Sequence, residues 1–309
     1  MSVDLRALKK KFSDDPALLD VHRPLPKSKG GKYEKGNINI LSPIEHMKIH
    51  GNYRERSEKL EKLKALVDDR EQVMKLVNKI NNQLKAVERR TDFLSPDTIQ
   101  FLKKTLKECN EELKQRTKAV EKFCNNNFKD ELIFKAVRTV KGIGPLTIAP
   151  MLVYVDPEKA KYPSSVWKYT GLHCPSHKRY QKGKTSGGNK NLRTALYRFA
   201  EDQLRLSRYN PGYLPIYHET RERLANSDKI VETWVGKGKL EKRKWKDTKP
   251  SHQHGAAFRA MIKCFLADWW YVSRKLSGLP TPQTYAQAIL GKNDSVINPS
   301  ERGWTLNHE

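Results

Sequence analysis

The chain has no apolar run approaching the length of a membrane span, and its first residues, MSVDLRALKKKF, lack the apolar core of a signal peptide. A membrane-embedded or secreted protein is therefore not expected, and no membrane partner is. Cysteine is scarce and scattered. Cys109, Cys124, Cys174 and Cys264 include no CxxC pair, which argues against a disulfide frame or a cysteine zinc site and fits reduced thiols in a cytoplasmic protein. Glycine is absent from residues 54–124, acidic residues are absent from 174–198, and strand signals are few beyond residue 50. The body is expected to be mostly helical.

What is abundant is positive charge. The 309 residues include 60 Lys and Arg against 35 Asp and Glu, a formal net charge of +25. A basic surface that neutralises phosphates releases condensed counterions, so such a chain binds polyanions strongly at low salt. Acidic proteins and anionic lipid are the competing partners. The charge here is clustered and interleaved with Tyr, Trp and Gly, which favours nucleic acid. At 37% hydrophobic content the chain can still bury real cores, and its length suits two or three domains.

Four regions follow from texture. Residues 1–53 are short, polar and rich in Gly, Pro and His. Within 54–130, Leu60, Leu63, Val67, Met74, Val77, Leu84 and Val87 recur at helical spacing, as do Ile99, Leu102, Leu106, Cys109, Leu113, Val120 and Phe123. Ser95 reads as an N-cap with Pro96 at the first helical position. Two long helices are expected, as a hairpin or a coiled coil. They serve either as a spacer or as a device for homo-oligomer formation, although Arg70, Asn81 and Arg116 interrupt the seam. Residues 131–290 are globular in texture, with helices expected over Asp130–Val140, about 189–208, about 211–226 and Ala256–Leu276. Residues 236–249 form a second basic segment, and 291–309 form a tail.

Val140-Lys141-Gly142-Ile143-Gly144-Pro145 has the pattern of a helix-hairpin-helix turn. Two glycines permit a tight turn and close approach to a phosphate, and the helix that follows offers free N–H groups and a positive dipole end. Ile143 is expected to plug the turn into the core. The alternative is an interhelical turn that touches nothing. Downstream, the acid-free stretch carries Lys178, Arg179, Lys182, Lys184, Lys190, Arg193 and Arg198, with Tyr180 placed to stack on a base. Together with Lys141, Gly142, Ile143 and Gly144, residues Lys178, Arg179, Lys182, Lys184, Lys190 and Arg193 are the candidate DNA contacts. They read backbone and not sequence.

The order GIGPLTIAPML, WKYTGL, a basic Ser/Gly segment and GNKNLRTALYRFA, closed by FRAMIKCFLADWWYVSRKLSGLP, resembles the C-terminal domain of the one-hundred-and-ten group of insertion-sequence transposases, relatives of the Piv DNA invertase. The resemblance covers roughly 131–290. It implies DNA as partner, and a guide RNA, since some members are guided by a bridge RNA. It also implies a long coiled coil ahead of the domain. The group's RuvC-like nuclease half, with four metal-binding acidic residues, has no counterpart in the residues before position 54. The group's nucleophilic serine lies in a Ser/Gly loop after a Gly-Leu that matches Gly171-Leu172. Ser176 and Ser186 are the serines nearby, and neither aligns cleanly.

A second pattern occupies the first region: His22, then Lys-Gly-Gly at 29–31, then Asn37, His46 and His50. It resembles an HNH nuclease, a ββα-metal finger. His46 and His50, four apart on a helix after Ser42-Pro43, would share one face and one divalent ion. The resemblance implies Mg or Mn at His22, His46 and His50, with His22 and Asn37 at the reaction centre. The family's ligand-plus-base pair is here either Val21-His22 or His22-Arg23, so His22 is either the base or a ligand. A degenerate finger that only packs or binds DNA is the alternative. The expected fold is mainly α: a ββα-metal-like finger, a long helical hairpin or coiled coil, and a helix-hairpin-helix domain. The expected function is a transposase- or recombinase-like DNA-binding protein that cuts by metal-dependent hydrolysis. The alternatives are a non-catalytic architectural or regulatory protein and serine-dependent strand transfer.

Overall fold

The computed structural model describes residues 20–22, 38–41, 57–89, 95–173, 188–235, 239–284, 291 and 297–305. They fall into two units, Met1–Ser57 and Glu58–Glu309. In the first, strands β1 (Asp20–His22) and β2 (Asn39–Leu41) pair antiparallel, with Val21 opposite Ile40 and His22 opposite Asn39. Asn37, His46 and His50 lie outside the described residues.

The second unit is mainly helical. Helices α1 (Glu58–Arg89) and α2 (Pro96–Asn127) lie side by side. Asp69 pairs with Arg116 at 2.9 Å, Arg70 donates to the Thr117 hydroxyl at 3.0 Å, and Lys59 sits over the Phe128 ring. From Lys59 to Asp69 the partner falls from Phe128 to Arg116, so the helices run antiparallel. Ser95 caps α2, accepting from the Thr98 amide at 3.3 Å, and Pro96 follows in the first turn, where a missing N–H costs nothing. Burial thins along the pair. Leu63, Val67, Val120 and Cys124 join the core of the body, Val77 and Ile80 are buried farther along α1, and Phe101 is 66% exposed.

Helices α3 (Leu132–Arg138), α4 (Pro145–Tyr154), α5 (Pro163–Tyr169), α6 (Lys190–Arg205), α7 (Leu214–Ala225) and α8 (Pro250–Leu276) make the rest. Their shared core joins Ile148, Met151, Leu196 and Phe199 to an apolar face of α8 that includes Met261, Ile262, Phe265, Trp269 and Trp270. Indoles in this core find acceptors. Trp270 donates to the Ala160 carbonyl at 2.6 Å and Trp167 to the Lys263 carbonyl at 3.0 Å. The end of α8 is closed by the amides of Gly278 and Leu279, which donate to the carbonyls of Lys275 and Arg274.

Two features differ from the sequence reading. Between α7 and α8 the chain makes an antiparallel ribbon, β3 (Ile230–Val235) with β4 (Lys239–Lys244), of which only β4 falls in the segment 236–249 read as basic. The segment 291–309, read as a tail, carries a 3-10 turn at Pro299–Arg302 and places Trp304, only 3% exposed, against Phe265 and Trp269. Burying one indole outweighs the ordering of so short a stretch. Among the described residues, no helix is long and apolar enough to cross a membrane.

Candidate nucleic-acid interface

The turn from Thr139 to Gly144 joins α3 to α4 and is held from three sides. Gln203 of α6, fully buried, donates from its amide to the Gly142 carbonyl at 3.2 Å and accepts the Tyr213 amide at 3.1 Å. The Gly212 amide donates to the Lys141 carbonyl, and the Thr139 hydroxyl donates to the Gly303 carbonyl at 2.6 Å. Ile143 is buried in the core and its amide donates to the Val140 carbonyl at 3.3 Å, so it anchors the turn. Lys141 is exposed.

The two glycines play different parts. Gly142 has φ +82°, and a Cβ there would come within 2.8 Å of both Gln203 and Pro211, so the turn itself requires it. Gly144 has ordinary extended backbone, and a Cβ there would meet nothing within 4 Å. The expectation that Gly144 serves the turn is thus corrected: the space it leaves open faces the start of α4. There Pro145 has no N–H, and the amides of Gly144 and Leu146 find no acceptor among the described residues. Two donors without a protein acceptor and a positive helix end thus meet an unobstructed approach.

The basic segment is anchored at the opposite end of α6. Asn189 caps that helix, accepting from the Leu192 amide at 2.9 Å, while its own amide hydrogens reach the Tyr169 hydroxyl. Gly188, with φ +101°, packs on Gly171 so closely that a Cβ would lie 2.6 Å from the Gly171 nitrogen. The stretches that end at His173 and begin at Gly188 are therefore held together. Lys178, Arg179, Lys182, Lys184, Ser176 and Ser186 lie outside the described residues. Lys190 is exposed. Arg193 is turned inward instead, donating to the Gly171 carbonyl at 3.1 Å and resting over the Tyr197 ring, so it braces the loop's anchor. From Asn189 to Gln203 the helix rises about 20 Å, so the turn and the anchor stand apart by roughly six base steps of duplex.

Sequence reasoning passed over Arg208 and Tyr209. The Tyr209 ring is exposed with the Arg208 guanidinium 4.6 Å above it, two residues before the Pro211 that packs on Gly142. An Arg-Tyr pair followed by Asn-Pro-Gly was the available signal: a cation and a stacking surface beside a turn. Several other polar groups are paired within the body. Glu71 accepts from Arg70 at 3.2 Å and from Arg198 at 2.5 Å, beside a cavity of about 60 Å³ that Asp202 also lines. His252 meets the Thr233 hydroxyl and His254 the Tyr217 hydroxyl, so both histidines, half-buried, have partners within the body. Among the described residues, no three His, Cys, Asp or Glu side chains cluster as metal ligands.

No curated protein matches the chain. The span from α3 to the start of α7 carries the turn, the loop anchor and the Arg208-Tyr209 pair, and over it residues 135–214 match the profile of the transposase IS116/IS110/IS902 family, whose name implies work on DNA.

Proposed function

We propose that the protein is a transposase- or recombinase-like nucleic-acid-binding protein. In this reading the turn at Lys141–Gly144 acts as a helix-hairpin-helix phosphate contact, and the segment 174–193 supplies cations. The observation that carries it is the coincidence of the family match, residues 135–214, with the open amides at the start of α4. The charge of +25 supplies the long-range attraction. Variants at the two glycines test the turn. Gly144→Val is expected to melt with the parent yet to bind duplex DNA several-fold more weakly, with little change in the slope of log affinity against log salt, because it blocks an approach and removes no charge. Gly142→Ala is expected to lose about 2–4 kcal/mol of stability, from positive φ and contact with Gln203 and Pro211. Unchanged affinity in a folded Gly144→Val protein would sink the phosphate-contact reading.

A nuclease reading of the first unit is favoured by one observation: two short antiparallel strands that put His22 opposite Asn39, just ahead of His46 and His50 in sequence. That strand order is the one an HNH finger needs. His46 and His50 would hold Mg or Mn, which would stabilise the leaving oxygen in phosphodiester hydrolysis, with His22 either a third ligand or the base, and Asn37 would order the hairpin that carries it. Purified protein is expected to nick plasmid DNA only with Mg or Mn, and His46→Ala is expected to abolish nicking while duplex binding stays within about twofold. A covalent protein–DNA adduct formed without metal would point instead to strand transfer through Ser176 or Ser186, and neither activity to an architectural or regulatory role. The exposed Leu76 and Phe101 support pairing of α1 and α2 with a second copy, as a coiled coil would require.

A further inference from the structure

We infer that the β3–β4 ribbon is a second duplex-DNA contact, separate from the turn at Gly142, and that it enters the major groove. The inference rests on the nucleic-acid-binding reading above. Helices α7 and α8 run antiparallel, with Tyr217 against His254 and Phe258, and Tyr213 against Phe265, and the ribbon joins their ends. It therefore projects from the tip of that helical pair, about 18 Å along α7 from the Gly142 turn.

A two-stranded ribbon has little stability of its own, and this one is made firm at its base. The Trp245 amide donates to the Lys229 carbonyl and the Lys246 amide to the Ser227 carbonyl. Lys244 and Lys246 both pair with Asp228 at 2.9 Å, which holds the Asp228 carboxyl well below its ordinary range. Gln253 of α8 donates to the Trp245 carbonyl at 3.1 Å. One face is turned to the body, where Thr233 is buried beside His252. On the opposite face, in register, Ile230 stands across from Lys244 and Glu232 across from Lys242. Lys242 and Lys244 are exposed there, and Ile230 is 63% exposed.

The partner follows from shape and charge. From Ile230 to Lys249 the sequence has seven basic residues against three acidic ones. Six paired residues per strand extend about 20 Å, and two strands about 4.8 Å apart fit the roughly 12 Å major groove of B-form DNA. The major groove of duplex RNA is too deep and narrow to admit them. Lysines flanking the groove would meet phosphates. An apolar side chain such as Ile230 would find thymine methyl groups, which only the major groove displays.

The test uses the full chain with Lys242→Gln, an exchange on the exposed face of the ribbon outside its base clamp. Melting is expected to match the parent. Binding to duplex DNA is expected to weaken, with the salt slope flattened by about 0.9 if this lysine meets a phosphate. Protection of guanine N7 from dimethyl sulfate, a major-groove readout, is expected in the parent and lost in the variant, while duplex RNA binds both equally. A variant that matches the parent in slope and footprint overturns the ribbon proposal and leaves the turn at Gly142 standing. A parent that binds no duplex at all overturns both readings. Equal losses on DNA and RNA overturn the groove assignment.

Discussion

Replacing Arg302 by leucine is expected to cost the fold about 3–5 kcal/mol at neutral pH, because it leaves the buried Asp268 carboxylate without a counter-charge. Asp268 has no exposed surface and takes two bonds from the Arg302 guanidinium, at 2.5 and 2.8 Å, and one from the Tyr213 hydroxyl at 2.6 Å. The Trp304 indole donates to the same hydroxyl at 2.7 Å. Burial pushes the Asp268 carboxyl above its ordinary value of 3.8, and Arg302 and Tyr213 pull it back only in part. A carboxyl raised in the folded state favours folding most below its unfolded pKa, and that contribution is lost as pH rises through the folded value. Without Arg302 the folded value rises further, so the deficit of Arg302→Leu should be small near pH 4 and grow toward neutrality. Urea denaturation at several pH values checks this, and Arg302→Leu/Asp268→Asn should recover part of the loss. A deficit equal at pH 4 and pH 7 would assign the cost to packing instead of charge. The same variant should loosen the Gly142 turn, since Gly303, next to Arg302, receives the Thr139 hydroxyl.

The largest effect on binding is expected from Lys178→Ala, Arg179→Ala, Lys182→Ala and Lys184→Ala made together. If all four meet duplex phosphates, the slope of log affinity against log salt should flatten by about 3.6, at 0.9 per contact. Weakening should be similar across unrelated sequences, as for any backbone contact. Because the ends of this segment are fixed by Gly188 on Gly171 and by the Asn189 cap, the four exchanges should leave melting unchanged. Binding of duplex, single-stranded DNA and RNA as tight as the parent's at every salt concentration would remove this segment from the interface.

The two predictions draw on different kinds of information. The four lysines and arginines were visible as an acid-free run, since charge density is a property of the chain itself. The Arg302–Asp268 pair was not visible. Its members are 34 positions apart, one on an apolar helix and the other in a stretch read as a tail. The ribbon had a local signal, the β-branched and aromatic run Ile230–Val235 before Gly-Lys-Gly, but the charge around it drew the reading toward an irregular basic segment. Arg193 looked like its basic neighbours until the Gly171 carbonyl claimed it.

What the sequence determined by itself is what short-range physics controls. The helical periods of α1, α2 and α8, the Ser95-Pro96 start of α2, the sharp turn around Gly142 and the excess of cations all follow from residues within a few positions of one another. Tertiary structure decided the rest. It decided which residues of the α1–α2 stripe are covered, gave His252 and His254 hydroxyl partners, drew Trp304 into the core and gave Gly142 and Gly144 separate tasks. The physical reason is the same in each case. Burial and hydrogen-bond partners come from elements far apart in the chain, and a local pattern says that a face is apolar or a donor is free without saying what will cover it.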